Sequence, residues 1–163
     1  MSAARLHRAD VNVRAIAAAD QARVRELIAA ELVRNPYAER ALRLVDQVGP
    51  EGPYQGIVAE HGGRVVGVGV FGLMSGSSGA GTMYAAAVEP AYRRLGVGRA
   101  LLERAASTLA AQGARFVLVE VPDDPAASAG FVALLQEAGF SEAARIPDLY
   151  RDGVALAFWR RVL

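Results

Sequence analysis

The chain has 163 residues, 53% hydrophobic and 21% charged, with a formal net charge of +1. That balance suits one globular domain with a sizeable core and excludes a disordered chain or one drawn by bulk charge to nucleic acid or an acidic membrane. There is no cysteine and there are two histidines, His7 and His61, which excludes disulfides, thiolate metal sites and a cysteine nucleophile.

The opening stretch "MSAARLHRADVNVRA" has no apolar core of the kind a signal peptide carries, so a cytoplasmic protein is expected. Val11 to Ile16 alternates apolar and polar residues and reads as a strand. Asp20 is an N-cap candidate for a helix in which Val24, Leu27, Ile28 and Leu32 recur at helical spacing. A second helix is expected from Pro36, suited to a first turn, to Val48, with Gly49-Pro50 ending it. Tyr54 to Met74 reads as two strands joined at His61-Gly62-Gly63, a hairpin signal. Its apolar run from Val65 is too short to span a bilayer and is broken by glycine. The small, uncharged "SGSSGAG" follows as a loop.

Thr82 to Pro90 is a short strand stopped by its proline, and a long helix is expected from Arg94 to Gln112 with Gly113 at C′. "ARFVLVEVP" is nearly continuous in apolar and β-branched residues, as in a buried strand. "PAASAGFVALLQEAGF" gives another helix, with Phe131, Leu134, Leu135 and Ala138 on one face. Two last strands, Ala143 to Ile146 and Val154 to Arg160, flank "PDLYRDG" as a loop. No repeat or linker interrupts the order β-α-α-β-β-β-α-β-α-β-β, so residues 1–163 are expected to form a single mixed α/β domain.

Chemistry concentrates in "EPAYRRLGVGRALLERA", where Gly96 and Gly98 stand among Arg93, Arg94 and Arg99 at the mouth of the long helix. A helix N-terminus leaves amide hydrogens unpaired and carries partial positive charge, so anions settle there. Glycine lets backbone approach a diphosphate closely. A tight turn ringed by solvated arginines is the plain alternative. A P-loop would need a lysine and a hydroxyl that "GVGRA" lacks, and Leu101 spoils the third glycine of a Rossmann fingerprint. What remains is Arg93-x-x-Gly96-x-Gly98 after a strand that ends in proline.

That pattern resembles the coenzyme motif of the GCN5-related N-acetyltransferases, which bind acetyl-coenzyme A. The order of elements is similar to that family's fold along essentially the whole chain, and "LVEVP…FVALLQEAGF" resembles its next strand and helix. The closing "RIPDLYRDGVALAFWRRVL" is most like the branch that acetylates protein N-termini and similar amines. The resemblance implies a mixed, mostly antiparallel, twisted sheet of about six to seven strands, splayed between the fourth and fifth and flanked by about four helices. It implies that amides of Arg94, Leu95, Gly96, Val97, Gly98 and Arg99 hold the diphosphate, with Arg93 as the signature arginine. Backbone of Ala86, Ala87 and Val88 would pair with the pantetheine arm, and Ser128 stands where relatives often place an asparagine on the coenzyme. The expected partners are a small-molecule or peptide amine, with neither nucleic acid nor membrane, and a homodimer as a possible assembly.

Direct acetyl transfer to an amine needs proton removal, a donor to the oxyanion and departure of the thiolate. The main-chain N–H of Val88 is the expected oxyanion donor. Glu120, at the end of an otherwise apolar strand, is the expected base, since partial burial would raise its pKa toward a useful range; a surface glutamate is the alternative, and Glu60 a lesser candidate. Many relatives supply a tyrosine as acid five residues before the Phe of Gly-Phe, but that position here is Leu135. Tyr150 is the preferred replacement, with Tyr84 the other phenol. Tyr37, Glu39, Tyr54 and Asp148 are rim candidates, whereas "ERALRLVD" reads as a solvated helix face. The Leu135 departure also keeps open a rival role, an acyl-CoA-binding sensor that has lost catalysis.

Overall fold

The computed structural model describes residues 10–32 and 37–163. The expectations at His7, at the opening stretch before Asp10 and at Pro36 lie outside the described residues. The elements, in chain order, are β1 (Asn12–Ala15), α1 (Gln21–Glu31), α2 (Ala38–Val45), β2 (Gln55–His61), β3 (Arg64–Leu73), β4 (Ala80–Val88), α3 (Val97–Ala111), β5 (Phe116–Asp123), α4 (Ala129–Glu137), β6 (Ser141–Arg151) and β7 (Val154–Val162). The strands form one sheet in the order β1-β2-β3-β4-β5-β7-β6.

Local chemistry sets the turns. Gly62 and Gly63 both take positive φ, 56° and 78°, and so close the β2–β3 hairpin with a twist that other residues resist. α3 begins at Val97 rather than at Arg94, because Arg94 (φ 62°) and Gly96 (φ 86°) lie in the left-handed region and do not fit a right-handed helix.

The two faces of the sheet bury separate cores. On one, Leu101, Leu102, Ala105 and Leu109 of α3 pack with Val117, Val119 and Val121 of β5, Leu135 of α4, Phe140 and Trp159. On the other, Val24, Leu27 and Ile28 of α1 and Ala41, Leu44 and Val45 of α2 cover Val58, Val68 and Val70. Side chains alternate across a strand, so Glu120, between two core valines, projects to the α2 face.

β4 and β5 form a parallel pair while the other pairings are antiparallel. Their ladder runs only from Ala80↔Phe116 to Met83↔Val119. Beyond it β4 stays on β3 and β5 stays on β7, so the sheet opens between the carboxyl ends of two parallel strands. This is the expected splay.

One expectation is corrected. "PDLYRDG" is not a loop: β6 runs from Ser141 to Arg151, and the turn shrinks to Asp152-Gly153. Pro147 and Asp148 (φ 53°) sit in an irregular stretch between the Ile146 and Arg151 rungs. Such breaks are tolerated because β6 is an edge strand, with only β7 to satisfy. Tyr150 is therefore a strand residue. No helix among the described residues is long and apolar enough to cross a membrane.

Candidate active site

The mouth of α3 is uncapped. Gly96 is its N-cap and offers no side chain, and the first intrahelical bond runs from the Ala100 amide to the Gly96 carbonyl at 2.9 Å. The amides of Val97, Gly98 and Arg99 therefore have no partner within the helix. A non-glycine residue held at positive φ costs free energy and gathers at ligand-gripping turns; Arg94, two residues before Gly96, is one. A hollow of about 460 Å³ opens here, lined by Val11, Leu95, Gly96, Arg99 and Ala100. On the opposite side Gly98 lies against α4, where an added Cβ would stand 2.7 Å from Leu134 Cδ2.

The arginines divide their work. Arg93 donates from Nε to the Val88 carbonyl at 3.1 Å and pairs through its guanidinium with Glu31 at the end of α1. It fastens the turn to β4 and α1 and is not aimed into the hollow. Arg94 and Arg99 remain as the exposed charges at the mouth.

The edge of β4 that faces the split is unsatisfied in a regular pattern. The Glu89 amide donates to the Val66 carbonyl at 2.9 Å, so Glu89 and, one repeat earlier, Ala87 turn their main-chain groups toward β3. Ala86 and Val88 must then present theirs to the open side. Ala87, expected to pair with a ligand alongside them, is committed to the sheet. Val88's carbonyl already accepts from Arg93, which leaves its N–H as the donor facing the opening. At the last paired rungs Thr82 buries a hydroxyl with no partner.

Across the split, the α2 face carries a narrow crevice of about 10 Å³ lined by Tyr37, Arg40, Thr82, Met83, Tyr84 and Glu120. Arg40 Nη1 stands 3.8 Å from Glu120 Oε2. Its guanidinium carbon lies 5.8 Å from the ring centroids of both Tyr37 and Tyr84. Tyr54 meets Tyr84 edge-on at 5.3 Å, and the hydroxyls of Tyr37 and Tyr150 hydrogen-bond to each other. Burial, then the Tyr150 hydrogen bond, then the negative charge of Glu120 push the Tyr37 phenol well above the ordinary tyrosine range. Burial also raises Tyr84, with Tyr54 reinforcing the shift and Arg40 opposing it.

The structure thus brings together Glu120, Tyr150, Tyr84, Tyr37 and Tyr54, which the sequence named separately. It adds Arg40, which sequence reasoning placed on a solvated helix face. The available signal was the spacing of Tyr37, Arg40 and Leu44, one helical stripe whose inner end, Leu44, is buried. Ser128 spends its hydroxyl at the start of α4, donating to the Asp124 carbonyl at 2.6 Å. Glu60 is held by Arg14 at 2.8 Å, and His61 Nδ1 lies 3.2 Å from the Asp10 carbonyl; neither faces the crevice. Asp148 accepts the Gly153 amide at 2.8 Å and shapes the β6–β7 turn. Leu135 is fully buried in the α3-side core.

Comparison with known proteins follows the same outline. The family model described as the acetyltransferase (GNAT) family matches residues 15–140. A crystal structure assigned to the GNAT acetyltransferases, from Desulfovibrio desulfuricans, shares 25% identity at a TM-score of 0.83, covering 93% of this chain and 98% of that one. The ribosomal-protein-S18-alanine N-acetyltransferase from Escherichia coli superposes at 0.75 with 19% identity over 93% of each chain. The yncA protein from Salmonella typhimurium, solved with its cofactor acetyl-CoA, gives 0.73 and 21% over 94% of each. None of the curated proteins matches the chain. With a family model spanning most of its length and this sheet, split and helix mouth, the chain belongs to the GNAT acetyltransferase family.

Proposed function

We propose that the protein is an acetyl-CoA-dependent N-acetyltransferase, a single domain that moves an acetyl group directly onto a primary amine of a small molecule or peptide. The observation that carries this reading is one juxtaposition: an uncapped helix mouth, a free strand edge at Ala86 and Val88, and the Glu120 crevice all meet at the β4–β5 split. The donors fit the coenzyme's chemistry. Unpaired amides of Val97, Gly98 and Arg99, with the Arg94 and Arg99 side chains, suit a diphosphate. Ala86 and Val88 suit an arm that carries amides of its own, and the strained turn at Arg94, Leu95 and Gly96 sets the approach. Bound acetyl-CoA supplies an acetyl group activated as a thioester.

The chain's own residues then have distinct tasks. The Val88 N–H donates to the acyl carbonyl oxygen. Glu120 accepts the proton that the acceptor ammonium must lose, and the crevice walls hold the amine against the split. Tyr150 provides the proton for the departing sulfur, with Tyr37 as its hydrogen-bond partner. Tyr37 itself is a poor acid, because its phenol ionises well above the ordinary tyrosine range, whereas a thiol has a pKa of about 8.5.

A second reading, a coenzyme-sensing module without turnover, draws on Leu135, a fully buried aliphatic residue where many relatives carry the acid. Incubation with acetyl-CoA and a panel of amines, peptides, polyamines and aminoglycosides separates the two by release of free thiol. Turnover on any of them supports the enzyme. Binding of acetyl-CoA without turnover supports the sensor, and absence of binding overturns both.

A further inference from the structure

The arginines of this protein that meet carboxylates do so mostly at hydrogen-bond distance. Arg14 reaches Glu60 at 2.8 Å, Arg23 reaches Glu89 at 2.6 Å, Arg145 reaches Glu142 at 2.7 Å and Arg161 reaches Glu103 at 2.9 Å. Arg40 differs. It faces Glu120 at 3.8 Å, too far for a hydrogen bond, and makes none to any described residue. Its guanidinium carbon also lies 5.8 Å from the ring centroids of both Tyr37 and Tyr84, within cation–π range. A guanidinium beside two aromatic rings, with no hydrogen bond to a described residue, can take a planar anion in two-pronged fashion.

The pair is therefore a matched set of opposite charges, side by side over the split, and held slightly apart. We infer that the acceptor is an amino carboxylate, an amine with a carboxylate close to it as in an α-amino acid, whose amine meets Glu120 while its carboxylate is gripped by Arg40. This rests on the acetyltransferase reading above and deepens it. The two charges of such a molecule lie on neighbouring carbons, so each can face its opposite at the mouth of the crevice, where the Arg40 and Glu120 side chains are partly exposed. The phenol rings of Tyr37 and Tyr84 then flank the remainder of the acceptor. A simple monoamine would place a second cation beside Arg40 with Glu120 as the single anion between them. In the transfer, the N–C bond forms as the C–S bond of acetyl-CoA breaks. The ammonium's proton passes to Glu120 and on to water, the electron pair of the broken bond leaves with sulfur, and the second proton lost by nitrogen balances the one that Tyr150 gives to sulfur.

The test compares matched acceptors, L-phenylalanine against phenethylamine and L-methionine against 3-(methylthio)propylamine, by thiol release with the full chain. The wild-type protein should favour the carboxylate-bearing member of each pair in kcat/KM by about tenfold or more, the scale of one charge-assisted pair. In Arg40→Gln that ratio should collapse toward one, chiefly through KM for the acid, and Arg40→Lys should restore part of it. The melting-temperature shift with acetyl-CoA, read on each protein, separates the two levels. No shift in the wild type overturns the acetyltransferase reading. A normal shift with equal or better turnover of the decarboxylated amines, or with no turnover of either kind, overturns the assignment of Arg40. An unchanged ratio in Arg40→Gln does so too.

Discussion

Tyr37, at the turn into α2, and Tyr150, on the edge strand β6, join their hydroxyls across the crevice, with ring planes at 88°. The two belong to elements that share no strand pairing, so this contact bridges one rim of the site to the other. If Tyr150 provides the sulfur's proton, Tyr150→Phe should lower kcat by about tenfold to a hundredfold with little change in KM for acetyl-CoA. Steady-state kinetics over both substrates would show it, and a change confined to KM would assign Tyr150 to binding alone.

Removal of Glu120, the proposed base, should act differently. Glu120→Gln should reduce kcat/KM for the amine by about 10² to 10⁴, the usual reach of a positioned base. Acetyl-CoA affinity should be retained. Calorimetric titration with coenzyme A alongside the kinetics distinguishes this from collapse of the site. An unaltered kcat/KM would dismiss Glu120.

At the helix mouth, Gly96→Glu places a carboxylate beside the amides of Val97, Gly98 and Arg99 and should remove coenzyme binding. The residue sits at φ 86°, so a side chain there also costs about 1–2 kcal/mol of stability. The apo melting temperature must be measured with the affinity. A folded variant with unchanged affinity would move the diphosphate elsewhere.

Alkaline stability should report on Tyr37. Its folded pKa lies above the unfolded value of 10.0, mainly through burial. The unfolded chain therefore releases that proton first, and the contribution is complete below pH 10 but is lost as pH rises toward the folded value. Tyr37→Phe should flatten the fall in denaturant midpoint on the alkaline side. Asp20 has the opposite sign. Its hydrogen bonds to Arg14 lower its pKa below the ordinary 3.8, so its contribution holds above that value and disappears as pH falls through the depressed one. Asp20→Asn should cost about 1–3 kcal/mol near neutrality and blunt acid denaturation.

Thr82 offers a smaller test. Its buried hydroxyl has no partner, so the near-isosteric Thr82→Val should raise stability by about 1 kcal/mol, read from chemical denaturation. A loss would mean that the hydroxyl is satisfied in solution.

The order of elements was readable because each has its own period: alternation at Val11 to Ile16, helical spacing at Val24, Leu27 and Ile28, a nearly continuous apolar run at Phe116 to Val121. The helix mouth was readable because glycine and arginine have few other reasons to cluster there. β6 was not, since Pro147, Asp148 and Gly153 carry turn chemistry and the strand draws its order from β7 rather than from its own pattern. Arg40 was hidden for a different reason. Its partner Glu120 lies far along the chain, and nothing local to "ERALRLVD" separates a solvated arginine from one folded against two rings. Arg93 was legible as a residue of the turn but not in its task, which Glu31 and the Val88 carbonyl decide.

The sheet itself acts as a partition. α3 and its open amides belong to one face, Glu120 and α2 to the other, and the gap between β4 and β5 joins them. Two reactants using these surfaces enter through separate doors and need not wait for each other. Initial-rate plots over both concentrations should therefore intersect, and an acetylated product should be free to leave while the spent carrier is still seated.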